Sequence, residues 1–214
     1  EQDGYNPSPE PKSDDSEKKK TELPESQGAS KPLKYSDWGK NLFERPDDTK
    51  ELLDVVNNNK FVNLVAMGGS GKTSLVKLFM AEYEASFDRI EYSLINNKLS
   101  SDIFSNNSTL KDFFDNDKLL KEIKDNEDKF ANAINVLQNC EIKNNLWIID
   151  INETSDYKEI ENIIDAWISQ SNQIVSPWKN WRFLFVGRKC FHNIETNLFV
   201  PYDLKNTHDV LSGI

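Results

Sequence analysis

Eight residues constrain this chain more than any others: Ala66-Met67-Gly68-Gly69-Ser70-Gly71-Lys72-Thr73. The apolar run Phe61-Val62-Asn63-Leu64-Val65-Ala66 leads into them. Ser74 to Tyr83 leads out, with Leu75, Leu78 and Phe79 at helical spacing. Strand, glycine turn and helix are the local expectation. The glycines let the backbone curl until its N–H groups converge on one point, and the helix aims its N-terminus at the same point. The segment fits the P-loop pattern with Ala66 in place of the first glycine. It implies a phosphate chain as ligand, with Lys72 at the β- and γ-phosphates and the Thr73 hydroxyl on Mg²⁺.

The rest of the chain reads as alternating strands and helices. Residues 1–34 are rich in Pro, Ser, Glu and Lys and short of apolar side chains, which predicts a disordered linker. From Tyr35 the composition is that of a packed domain, and residues 35–214 are expected to form one nucleotide-binding unit. Pro46 opens a helix whose apolar side is Leu52, Leu53, Val55 and Val56, and Asn57 to Asn59 close it. Further strands are expected at Arg89–Ile95, Leu146–Asp150, Trp181–Val186 and Asn197–Tyr202, and further helices at Asp117–Asn139 and Tyr157–Gln170. Ile123, Phe130, Ile134 and Leu137 form the stripe of the long helix, and residues 96–117 read as polar loop. The predicted fold class is α/β: a P-loop NTPase three-layer sandwich with a mainly parallel sheet, preceded by a disordered segment. Trp147, Trp167, Trp178 and Trp181 are expected as core or interface anchors rather than as a base-stacking platform.

Three residues outside the glycine turn are candidates for chemistry. Asp150 ends an apolar strand, where sheets of this class place ligands, and is the candidate Mg²⁺ carboxylate. Glu153, three residues on, is either the group that orients or deprotonates water or a solvated loop acid. Arg188 follows a strand and Gly187; it is either a γ-phosphate sensor or a surface cation. A guanine-specificity NKxD motif is not formed by Asn97-Lys98-Leu99-Ser100, and Gly69-Ser70-Gly71 lacks the GxSxG spacing. His192 and His208 have no metal-ligand spacing.

Composition sets outer limits. The formal net charge of −10 repels nucleic acid and anionic lipid at long range and fits a soluble surface. Two cysteines, Cys140 and Cys190, without a CxxC pattern fit a reduced compartment such as the cytoplasm, with a single disulfide as the other option. No run of eighteen apolar residues marks a membrane span.

Together these segments resemble the STAND class of P-loop ATPases, especially its NB-ARC and NACHT modules. Residues 66–75 are similar to the GMGGxGKTTL form of the P-loop in that class. Leu42-Phe43-Glu44-Arg45-Pro46-Asp47-Asp48 resembles a degraded hhGRxxE motif, with Arg45 matching its Arg, Glu44 in place of Gly and Asp48 in place of Glu. That motif approaches adenine and ribose in the family. Leu146–Asp150 resembles the Walker B strand, Val186-Gly187-Arg188 the sensor strand, and Tyr202-Asp203-Leu204 the strand end before the next subdomain. Ile151 stands where NB-ARC modules carry a second acid, and Glu153 where NACHT modules carry theirs.

The resemblance spans about residues 40–205 and implies a strand order with the sensor strand between the P-loop and Walker B strands, so that Arg188 and Asp150 flank the phosphates. It implies ATP or ADP with Mg²⁺ as cofactors. Arg45, Ala66, Met67, Gly68, Gly69, Ser70, Gly71, Lys72, Thr73 and Ser74 would hold the nucleotide, Thr73 and Asp150 the metal. Lys72, Glu153 and Arg188 would act on the reacting phosphate. The chain is then expected to be a fragment, without the helical and winged-helix subdomains, whose parent can self-associate. The functional expectation is an ATP/ADP-binding switch of a signalling ATPase with slow hydrolysis. The alternatives are a non-hydrolysing scaffold and another P-loop ATPase such as an AAA+ type.

Overall fold

A computed structural model describes residues 35–103, 126–139 and 141–199. Helix α1 (Pro46–Asn58) starts where Pro46 presets the first turn, with Asp47 and Asp48 complementing the positive end of the helix dipole. It buries Thr49, Leu52 and Val56. Strand β1 (Phe61–Val65) follows, then helix α2 (Lys72–Tyr83). Strand β2 (Arg89–Ile95) has the limits its sequence implies. Helix α4 (Asn126–Gln138), strand β3 (Asn145–Ile151), helix α5 (Tyr157–Ser171), strand β4 (Trp181–Gly187) and strand β5 (Thr196–Phe199) follow, with a 3-10 turn at Glu84–Ser86 before β2 and a short helix α3 (Leu99–Asp102) after it.

The five strands form one sheet in the order β2-β3-β4-β1-β5, and every pair is parallel. Each helical crossover must cover a face of such a sheet, so both faces are dry. Alternate residues divide between two cores. Val62, Leu64, Leu146, Ile148, Leu184 and Val186 pack with Leu52, Leu75, Val76 and Phe79 of α1 and α2. Trp147, Ile149, Phe183 and Phe185 pack with Ala133 and Leu137 of α4 and with Ile160, Ile164 and Trp167 of α5. The result is the expected three-layer sandwich. All seven residues of β3 are buried, as a central parallel strand requires.

The four tryptophans of the second core are buried. Three of their ring N–H groups have partners: Trp147 donates to Ser93 Oγ at 3.1 Å, Trp178 to Gln170 Oε1 at 3.0 Å, and Trp181 to the Leu137 carbonyl at 2.7 Å. Phe183 sits among them, with ring centroids 5.2 Å from Trp167 and 5.1 Å from Trp178.

Several boundaries differ from the sequence reading. Helix α2 begins at Lys72 rather than Ser74, because the left-handed Gly71 caps it directly. The polar stretch after β2 contains α3, whose Leu99 and Ser100 N–H groups are capped by the carboxylate of Glu159, sixty residues on and out of reach of local pattern. The long helix is described only from Asn126; residues 117–125, with Ile123, lie outside the described residues. Strand β5 spans Thr196–Phe199, and Tyr202-Asp203-Leu204, His208, Cys140 and residues 1–34 also lie outside them.

Phe183→Ala removes a ring buried on every side and leaves a cavity. Unfolding in urea should show a loss of about 3–5 kcal/mol. A loss under about 1 kcal/mol would contradict this account of the second core.

Candidate functional site

The P-loop is positioned from three directions. Strand β1 delivers Ala66, whose N–H donates to the Gly187 carbonyl at 3.2 Å and ties the loop to the end of β4. Gly69 and Gly71 both adopt positive φ, 78° and 79°, a region that favours glycine. The Ser70 N–H donates to the Met67 carbonyl at 3.3 Å, closing the turn. Gly71 then accepts the first helical bond from Leu75 N–H at 2.8 Å. Leu75, Val76, Phe79 and Met80 anchor α2 in the first core and so hold its N-terminus on the loop.

The Lys72 ammonium donates to the Ala66 and Met67 carbonyls at 3.0 and 3.1 Å. Partial burial lowers its pKa, and Arg188 adds to this, while Asp150 and Glu153 oppose it. The Thr73 hydroxyl donates to Asp150 Oδ2 at 3.0 Å. Asp150 is 5% exposed, and burial raises its pKa against the hydrogen bonds from Tyr92 and Thr73 and the charges of Lys72 and Lys77. Paired strands place these groups: β3–β4 pairing sets Asp150 beside Val186, and β1–β4 pairing sets Val65 beside Gly187. The ends of three adjacent strands therefore meet over the start of α2.

Arg188 leaves the end of β4 and crosses the loop. Its guanidinium rests on Gly68, where a Cβ would collide with it, and it forms an ion pair with Glu153. Gly68 is thus needed for close approach of a side chain, whereas Gly69 and Gly71 supply the curvature.

Lys72, Thr73, Asp150, Glu153 and Arg188 line one cavity of about 670 Å³ with Gly68 and Gly69. Arg45 lies outside its lining. Its Nε donates to Asp48 Oδ2 at 2.6 Å, and its Nη1 lies 3.6 Å from where a Cβ of Gly71 would be. Arg45 is thus at the far end of the loop, held by the acid that replaces the motif's Glu. Ala66, Met67, Ser70 and Gly71 shape the loop and Ser74 lies on α2, none of them lining the cavity; Met67 is 74% exposed, and the Ser70 hydroxyl is buried without a partner among the described residues.

The cavity also extends beyond the residues to which the sequence motifs point. Tyr35, Trp38, Lys77, Tyr92 and Leu94 line the side beyond Asp150. The β2–β3 register pairs Leu94 with Asp150, so Tyr92, two residues earlier, shares the face of Asp150. That signal exists only once the register is known. His192 forms an ion pair with Glu161 at 2.6 Å, which raises its pKa. Cys190 is an exposed free thiol. No helix among the described residues is long and apolar enough to cross a membrane.

The donor set fits Mg²⁺. A hydroxyl and one carboxylate border a cavity lined by Gly68 and Gly69 of the loop, and Mg²⁺ takes few protein ligands and completes its shell with phosphate and water.

Among solved structures, the chain is similar to a Walker-type ATPase of Pyrococcus abyssi, with a TM-score of 0.51 and 14% identity, over 81% of this chain and 58% of that one. It is similar to Cdc6p from Pyrobaculum aerophilum, with a TM-score of 0.57 and 14% identity, over 81% of this chain and 49% of that one. It is also similar to the ORC2 protein of Aeropyrum pernix in its ADP form, with a TM-score of 0.51 and 12% identity, over 82% and 54%. No family model and no curated protein matches the sequence. The fold is therefore that of P-loop ATPases, and this chain spans roughly half the length of those neighbours.

Proposed function

We propose that the chain binds ATP or ADP with Mg²⁺ as the switch module of a signalling ATPase, and that it hydrolyses ATP slowly. One observation carries this reading: two cations, a hydroxyl and two carboxylates from three separate segments meet over one glycine-rich loop. Each matches a need of phosphoryl transfer, which rests on positioning and charge stabilisation.

The loop amides and the N-terminus of α2 would hold the phosphates. Lys72 would exchange its two carbonyl acceptors for phosphate oxygens. Thr73 and Asp150 would hold Mg²⁺, which neutralises charge on the β- and γ-phosphates when bound. Arg188 would leave Glu153 for the γ-phosphate, because a phosphate oxygen offers it more charge. Glu153, so released, would take the proton of the attacking water; the γ-phosphorus–water oxygen bond forms as the bond to the ADP oxygen breaks. ADP lacks the γ-phosphate and would leave the Arg188–Glu153 pair closed. Nucleotide state is then read as the position of one guanidinium. Arg45 would reach the nucleoside end.

The module is proposed to act in the cytoplasm, as residues 35–214 of a larger parent that self-associates, with residues 1–34 as a linker. The resemblance in residues 42–48, 66–75 and 146–150 supports the STAND reading. An AAA+ type fits the fold equally, since the similarity to Cdc6p and ORC2 concerns the same layers and strands.

Lys72→Ala removes a charge-assisted donor worth roughly 1.5–3 kcal/mol. Calorimetry should show Mg²⁺–ATP binding weakened at least about tenfold; unchanged affinity would contradict the role of Lys72. Glu153→Ala should keep ATP binding and abolish single-turnover hydrolysis. Undiminished hydrolysis would remove Glu153 from the mechanism, and no hydrolysis in the intact parent protein would favour the scaffold.

A further inference from the structure

Asp150 does not stand alone at the end of β3. The Tyr92 hydroxyl, from the neighbouring strand β2, donates to Asp150 Oδ2 at 3.0 Å. The Thr73 hydroxyl donates to the same oxygen, also at 3.0 Å. Oδ1 takes no hydrogen bond among the described residues. The two donors differ in what else they must do. The Thr73 hydroxyl is the group the P-loop pattern assigns to the metal. Tyr92 has no such second duty: it is buried, and its hydroxyl is directed at Asp150 from the neighbouring strand.

The Tyr92 ring is itself held. Trp38 packs edge-on against it, with centroids 5.2 Å apart and planes at 85°. Tyr35 packs edge-on against Trp38, at 4.9 Å and 77°. A row of three edge-on rings, two from the segment before α1 and Tyr92 from β2, therefore ends on the candidate metal carboxylate. Ile151, the next residue along β3, turns into the second core, so no adjacent acid shares the load. A carboxylate with one oxygen pinned and the other open presents a fixed face to a cation. A free one would pay to be oriented.

We propose that Tyr92 is a positioning residue for magnesium: it pins one oxygen of Asp150 so that the other faces the cavity. This rests on the reading of Thr73 and Asp150 as the Mg²⁺ side of the site. The consequence is specific. Removing the hydroxyl should weaken the response to Mg²⁺ and leave the grip of the loop on phosphate as it was.

The test is calorimetry of ATP binding to the full chain at varied free Mg²⁺ and in chelator, for the parent, Tyr92→Phe and Tyr92→Met. Both variants lack the hydroxyl and keep apolar contact for Trp38. The free Mg²⁺ needed for half-maximal enhancement should rise about tenfold in both, the lower end of the usual range for the loss of such a partner. Affinity in chelator should stay within about twofold of the parent. An unchanged Mg²⁺ midpoint in either folded variant would overturn the proposal. Equal weakening with and without Mg²⁺ would also overturn it, because it would mark a merely structural role. Should the parent show no Mg²⁺ enhancement, the reading of Thr73 and Asp150 falls, and the role of Tyr92 with it. Enhancement in the parent that Asp150→Asn removes and Tyr92→Phe leaves intact would keep that reading and sink this inference alone.

Discussion

The placement of β4 between β1 and β3 is the constraint on which the site depends. The P-loop leaves β1, Asp150 ends its side of β3, and Arg188 follows β4. Parallel pairing puts all three exits at the same edge of the sheet. The bond from Ala66 N–H to the Gly187 carbonyl then fixes loop and arginine relative to each other. A different strand order with the same local motifs would scatter these groups. The two cores serve this arrangement, since each helix is pinned to a face by side chains from alternate positions of the same strands.

Charge in the cavity is organised against the trend of the whole molecule. The chain carries a net −10, yet Lys72, Lys77 and Arg188 line the cavity. Each is balanced from within: Lys72 by loop carbonyls, Arg188 by Glu153, Lys77 by the field of Asp150 and the face of Trp38 at 5.9 Å. Such internal partners lower the cost of gathering cations, and an incoming polyanion must outcompete them. Under the proposed function a triphosphate would do so at Lys72 and Arg188 together, and a diphosphate chiefly at Lys72.

How much of this was legible in the sequence depends on how local each cause is. The glycine turn, β1, β2 and the start of α1 are set by neighbours in the chain, and their limits read directly from residues 46–95. Asp150 and Arg188 were visible as polar residues at the ends of apolar runs. The strand order came from the resemblance and not from periodicity. Helix α3 was missed because its cap, Glu159, lies on another element. Tyr92 and Trp38 were missed because their meaning depends on β2–β3 register and on the path of the chain before α1, neither of which leaves a local pattern.

The central claim is that main-chain amides between Gly68 and Thr73 grip a phosphate chain. Amide chemical shifts of ¹⁵N-labelled protein, followed as Mg²⁺–ATP is added, read those groups directly. The account predicts that the largest saturable shifts fall on Gly69, Gly71, Lys72 and Thr73, and that Gly187 and Arg188 shift with ATP more than with ADP. Saturable shifts centred elsewhere, with the amides of residues 68–73 unmoved, would contradict it.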